Sequence, residues 1–189
     1  MNKKTQMIVE AGLMIALATI LSQFKIFRMP AGGSVTPGSM IPILIYAMRW
    51  GWKQGVFVGV VYGLFQMVLG GYVIHPAQAA LDYPIAFGCL GFAGIAKNSM
   101  QQVINSNAGK GVIVTIGATV VAVLLRMVSH VLSGVIFFAP EGATFTTPAA
   151  WTASIAYNGS FLVAEFAITA VVLVLLMKPI MTVYMAKEA

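Results

Sequence analysis

Three side chains capable of chemistry, Asp82, His130 and Asn158, lie in three separate apolar stretches of a 189-residue chain. Arg126 precedes His130 by four residues, which puts both on one helical face, and Ser133 and Gly134 extend that face. A carboxylate alone in hydrocarbon costs roughly 2–4 kcal/mol, so Asp82 requires a partner. Ser133, His130 and Asp82 have the composition of a hydrolytic triad, yet no nucleophile elbow surrounds Ser133, and intramembrane hydrolysis is set aside. Residues 107–111, Asn-Ala-Gly-Lys-Gly, lack the spacing and the hydroxyl residue of a nucleotide-binding loop. His75 and His130 come with no HExxH and no Cys/His cluster, so neither metal nor cofactor is expected. The pattern reads as a binder and not an enzyme.

The elements that would hold these groups are membrane helices. Of the residues, 59% are hydrophobic and 8% charged, with a mean hydropathy of +0.90, where a soluble domain would carry about a quarter charged. The net charge of +6 arises from basic residues scattered at segment ends, which suits membrane topology and not nucleic acid. Cys89 is the single cysteine, so no internal disulfide forms. Lys3-Lys4 open an apolar run that no small-x-small site closes, so it reads as a retained first helix. The expected fold is all-α: a six-helix transmembrane bundle in one integral membrane domain, 1–189, with helices near 6–24, 39–49, 54–71, 77–96, 111–138 and 150–178. The second is short enough to be re-entrant, with Ser39 available to cap it. Gly51, Gly55, Gly59 and Gly63 recur every four residues, a stripe for close helix packing.

With six crossings and a cytoplasmic N-terminus, inner loops would hold Lys3, Lys4, Arg49, Lys53, Lys97, Lys110, Lys178 and Lys187, and outer loops only Lys25 and Arg28. That bias follows the positive-inside rule and places both termini in the cytoplasm. Trp50 and Trp52 would be interfacial anchors. Measured from the outer helix ends, Asp82 lies ~9 Å deep and His130 and Asn158 ~12 Å, and they converge on a pocket. Tyr72, Tyr83, Phe137, Phe138, Trp151 and Tyr157 crowd the same end. Arg126 and Glu165 lie deeper, ~18 and ~22 Å; either they neutralise one another or Arg126 faces the pocket. If they pair, the pocket carries about one negative charge and suits an aromatic monocation. The bland readings are a structural hydrogen bond for Asp82 and a core histidine for His130. The outer loop from Lys25 to Pro37 has the glycines and prolines of a jointed lid or of an ordinary connector.

Gly32-Gly33-Ser34-Val35, Met40-Ile41-Pro42-Ile43-Leu44, the run from Gly71 through His75, Pro76 and Gln78 to Asp82-Tyr83-Pro84, and Tyr157-Asn158-Gly159-Ser160 carry a resemblance. They resemble the thiamine-specific substrate-binding (S) component of energy-coupling-factor (ECF) transporters, along essentially the whole chain. The resemblance implies a six-helix subunit of a bacterial cell membrane importer. Such a subunit binds thiamine outside, associates with a transmembrane coupling subunit and two cytoplasmic ATPases, and delivers its ligand by toppling. By position it implies Asp82 as the acid facing the cationic vitamin, with Tyr83, Tyr72, His130 and Asn158 around it. Phe138 stands where the family has a tryptophan wall. Ala153 stands where it has a tyrosine, with Trp151 as a candidate replacement, and Phe27 is the candidate for a first-loop tryptophan. The lid is then Phe27, Gly32, Gly33 and Ser34. Gly12 and Ala16 on helix one resemble the face that docks on the coupling subunit, intramolecular packing being the alternative. Competing readings are an S component for another vitamin or a hydroxymethylpyrimidine-type precursor, or a scaffold subunit without ligand.

Overall fold

The structure, a computed structural model, describes residues 2–104 and 108–179; Asn107 and Lys187, used above in the nucleotide-loop and topology readings, lie outside the described residues. Six helices form the bundle. Helix α1 is Lys3–Gln23, α2 Ile41–Trp50 and α3 Trp52–Val68. Helix α5 is Ala108–Phe137 and α6 Pro148–Pro179. Between α3 and α5 runs a composite helix, α4 (76–104): α-helical over Pro76–Ala80, π-helical over Leu81–Ile85, α-helical over Ala86–Cys89, 3-10 over Leu90–Ala96 and α-helical again over Lys97–Ile104. Helices α1, α4, α5 and α6 are each long and apolar enough to cross a membrane.

One feature outside the all-α expectation is a small antiparallel hairpin between α1 and α2. Its strands, β1 (Phe27–Arg28) and β2 (Ser34–Val35), pair Phe27 with Val35 and Arg28 with Ser34. From β2 the chain descends in irregular conformation through Val35, Thr36, Ser39 and Met40, all buried. Non-helical backbone is tolerated at depth only where protein surrounds it. Helix α2 therefore starts well inside the bundle, which explains its ten residues. All of them except Ile45 are buried. Ser39 does not cap it; the N-cap is Met40, without a side-chain bond, and the Ser39 hydroxyl points to Glu165 at 3.4 Å.

The interface between α3 and α4 rests on glycine. A Cβ on Gly63 would come within 2.9 Å of the Pro84 Cα, one on Gly59 within 3.0 Å of the Gly88 Cα, and one on Gly55 within 2.9 Å of the Gly91 Cα. Gly51 is not a member of this stripe: it is the joint between α2 and α3, at φ +101°. The close approach seats the π segment of α4 against α3. Pro84 lies inside that segment and has no N–H to donate; its ring would collide with the carbonyl four residues back in a regular helix. Widening to the π form relieves this, and the Ser129 hydroxyl on α5 bonds the Leu81 carbonyl at 2.6 Å. The widened turn presents Asp82 and Tyr83.

Helix α1 is held to the bundle by polar contacts along one side. Glu10 pairs with Arg49 at 3.0 Å and accepts the Trp50 indole N–H at 2.7 Å. Trp50 is thus a buried tether and not an interfacial anchor, whereas Trp52 is exposed with Lys53 over its ring. The opposite side of α1 shows Ile8, Leu13, Leu17 and Ile20 outward, together with Gly12 and Ala16, and no atom lies within 4 Å of a Cβ built on Gly12. Replacing Gly59 by Val should push α4 off α3, with a loss of about 1–3 kcal/mol, read as a lower unfolding temperature in detergent.

Candidate ligand-binding site

A cavity of about 480 Å³ opens between the hairpin, the loop joining α3 to α4, and helices α4, α5 and α6. Asp82, Tyr83, Tyr72, His130, Gly134, Asn158, Phe138 and Arg126 all line it, as do Gly32, Gly33 and Ser34 of the hairpin. The widened turn of α4, one face of α5 and the N-terminal part of α6 bring these groups together.

Asp82 accepts three hydrogen bonds. Gln78, one turn earlier on α4, donates from Nε2 at 2.7 Å, and Ser133 donates from Oγ at 2.7 Å. His130 Nδ1 lies 2.9 Å from the other carboxylate oxygen. The histidine tautomer follows from its second nitrogen. Arg126 Nε donates to His130 Nε2 at 3.3 Å, and a guanidinium has no acceptor. Nε2 therefore carries the lone pair, Nδ1 the proton, and the ring is neutral. All three donors to Asp82 are neutral, so its charge is solvated by hydrogen bonds without being cancelled.

Arg126 does both things that its position allowed. Its Nη1 sits 3.1 Å from Glu165 Oε2, with both side chains buried. Its guanidinium also lies 4.4 Å from the centre of the Phe87 ring and borders the cavity. Glu165 in turn accepts the Thr36 hydroxyl at 2.8 Å, so the foot of the hairpin is fastened to α6. The tip of the hairpin is fastened there too: the Tyr157 hydroxyl accepts the Ala31 N–H at 3.0 Å and donates to the Gly32 carbonyl at 2.8 Å. Gly33, at φ +80°, lies against the Phe161 ring, where a Cβ would approach within 2.8 Å.

Opposite the hairpin, Tyr83 and Gln78 brace the α3–α4 loop. The Tyr72 N–H donates to the Tyr83 hydroxyl at 2.6 Å, Gln78 Nε2 donates to the Tyr72 carbonyl at 3.0 Å, and Gln78 Oε1 accepts the Ile74 N–H at 3.1 Å. The Tyr72 and Phe138 rings are tilted neighbours, 6.1 Å between centres. Asn158 Nδ2 donates to the Ser154 carbonyl at 3.0 Å and to that of His130 at 3.4 Å, tying α6 to α5.

Two aromatic expectations require correction. Trp151 is not among the residues that line the cavity; its indole donates to the Phe145 carbonyl at 2.8 Å and its ring packs edge-on against Phe145. Ala153 occupies that part of the wall, because Trp151, two residues earlier on the helix, points about 200° away. Phe27 is exposed and borders a separate apolar groove with Ile26, Met29 and Ile168; strand alternation turns it outward. Sequence reasoning missed Gln78, Phe87 and Phe161 as lining residues, and it missed Lys25 and Arg28, which also line the cavity. The single-charge expectation for the pocket is therefore incomplete, since two cations stand at its rim.

The architecture is that of a polytopic helical membrane protein with a cavity at one end of the bundle, bordered by the hairpin. The family model for the thiamine transporter protein family (Thia_YuaJ) matches residues 8–185. The thiamine transporter ThiT of Bacillus subtilis (strain 168) is 37% identical over 185 residues, 93% of each chain. ThiT of Lacticaseibacillus paracasei is 27% identical over 195 residues, covering 99% of this chain and 94% of that one. A solved structure of ThiT from Listeria monocytogenes superposes with a TM-score of 0.82 at 24% identity, covering 94% of this chain and 96% of that one. The chain belongs to the thiamine transporter protein family.

Replacing Glu165 by Gln leaves Arg126 buried without its counter-charge, a loss of about 3–5 kcal/mol that a thermal unfolding scan would register. Replacing Tyr157 by Phe removes both bonds to the hairpin tip and should speed amide hydrogen exchange across residues 29–34, with exchange in α5 unchanged.

Proposed function

We propose that this protein is the thiamine-binding S component of an ECF-type vitamin importer in a bacterial cell membrane. The observation that carries the reading is the state of Asp82: an anion held by Gln78, Ser133 and a neutral His130, open to a cavity walled by rings. A site so arranged favours a flat cation that faces the carboxylate and stacks on aromatic faces, each stack contributing about 0.5–2 kcal/mol. The thiazolium of thiamine has that form. A neutral pyrimidine precursor would leave the Asp82 charge unanswered, and a scaffold subunit has no need of it. The names of the relatives, both thiamine transporters, support the same ligand.

In this reading Asp82 meets the positive ring, Phe138, Tyr72 and Tyr83 supply aromatic surface, and His130 and Asn158 shape the floor. Arg126 acts from behind His130. The hairpin with Gly32, Gly33 and Ser34 covers the bound ligand. The sequence carries no nucleotide-binding loop, and in this reading delivery depends on a transmembrane coupling subunit and two cytoplasmic ATPases. The outward-facing side of α1 around Gly12 and Ala16 suits the contact with the coupling subunit. The bias of basic residues supports cytoplasmic termini.

Isothermal titration of the purified protein with thiamine tests the assignment. Replacing Asp82 by Asn should weaken binding more than tenfold, the effect of removing a charge that meets a desolvated cation. Equal affinity in the variant would remove Asp82 from the site. A flat titration of the wild type would remove thiamine altogether.

A further inference from the structure

Lys25 and Arg28 stand at the mouth of the cavity, on the connection from α1 into β1 and on β1 itself. The strand separates its faces: Phe27 turns outward to the apolar groove, while Arg28 borders the cavity. Among the described residues neither Lys25 nor Arg28 has a carboxylate partner. Glu10 is engaged by Arg49 and Glu165 by Arg126, and Glu141, on the α5–α6 loop, does not line the cavity. Burial at the rim, and then the adjacent Arg28 charge, hold the Lys25 ammonium below the usual lysine pKa. Such a pair of like charges is relieved when an anion enters between them.

The cavity is thus bipolar, with an uncancelled carboxylate on the floor and two unpaired cations at the mouth. We infer that Lys25 and Arg28 form an anion subsite, and that the cavity accepts a zwitterion whose cationic ring lies on Asp82 and whose outward substituent is a phosphate monoester. This rests on the assignment of thiamine to the site, and its ligand would be thiamine monophosphate. The phosphate carries between one and two negative charges near neutral pH. The guanidinium offers paired N–H donors to its oxygens, and the ammonium adds a point charge. Thiamine itself, a cation without the phosphate, is repelled by the same pair.

The two ligands should therefore respond with opposite sign to one change. In the double variant Lys25→Gln/Arg28→Gln, thiamine monophosphate should bind more weakly and thiamine more tightly. The ratio of their dissociation constants should shift toward thiamine by about tenfold, the scale of two ion pairs at a water-facing rim. Raising the salt concentration should shift the wild-type ratio the same way and leave that of the variant nearly still. Titrations in detergent and in lipid nanodiscs provide the readout, with circular dichroism and the unfolding temperature confirming that the variant is folded. Equal changes for both ligands would overturn the subsite while leaving the thiamine assignment intact. No binding of thiamine to the wild type would overturn both. Loss of the charge effect in nanodiscs containing phosphatidylglycerol, with its retention in uncharged lipid, would overturn the subsite in favour of lipid headgroups.

Discussion

The structure depends on a line of four polar side chains buried across an apolar bundle: Asp82, His130, Arg126 and Glu165, each in contact with the next. The line alternates acid, neutral ring, base, acid. Its two ends do different work. At the deep end a carboxylate and a guanidinium cancel, as buried charges must. At the outer end the carboxylate meets only neutral donors, because Arg126 occupies the one histidine nitrogen that could otherwise have taken a second proton. The arginine thus keeps the ring between them neutral and leaves the Asp82 charge uncancelled. Deep pairing and shallow exposure are two sides of one arrangement.

The rest of the fold serves that line. Pro84 widens α4 where Asp82 leaves it, the glycines of α3 let that widened turn sit close, and the Ser129 hydroxyl adds a second donor to the Leu81 carbonyl, which also takes the Ala86 N–H of the widened turn. The glycine stripe, the proline and the π turn form one mechanical unit whose output is the orientation of a carboxylate. On α6, Tyr157 with Asn158, then Phe161, then Glu165 mark three successive turns and between them touch the hairpin, α5 and Arg126.

Much of this was legible in the residues. Helical periodicity and hydropathy give the bundle, and rise per residue is enough to bring Asp82, His130 and Asn158 to one depth and Arg126 to Glu165. What depth cannot give is azimuth. Trp151 and Ala153 differ little in height but face opposite ways, and only packing on α5 decides which one meets the cavity. The hairpin was illegible for a related reason: two-residue strands carry no period, so nothing in Phe27 and Arg28 announces which turns inward. Lys25 and Arg28 read as topology markers because charge counts ignore direction. Ser39 reads as a cap because the alternative partner, Glu165, is 126 residues away.

The hairpin is joined to a single helix at both its tip and its foot, through Tyr157 and through Glu165. It behaves as an outgrowth of α6 and not as a bridge across the opening. The opposite bank, the loop between α3 and α4, is anchored by Gln78 and Tyr83 to the same helix that bears Asp82. The two banks meet between Gly32 and Tyr72, where a Cβ built on Gly32 would lie 3.4 Å from the Tyr72 Cβ.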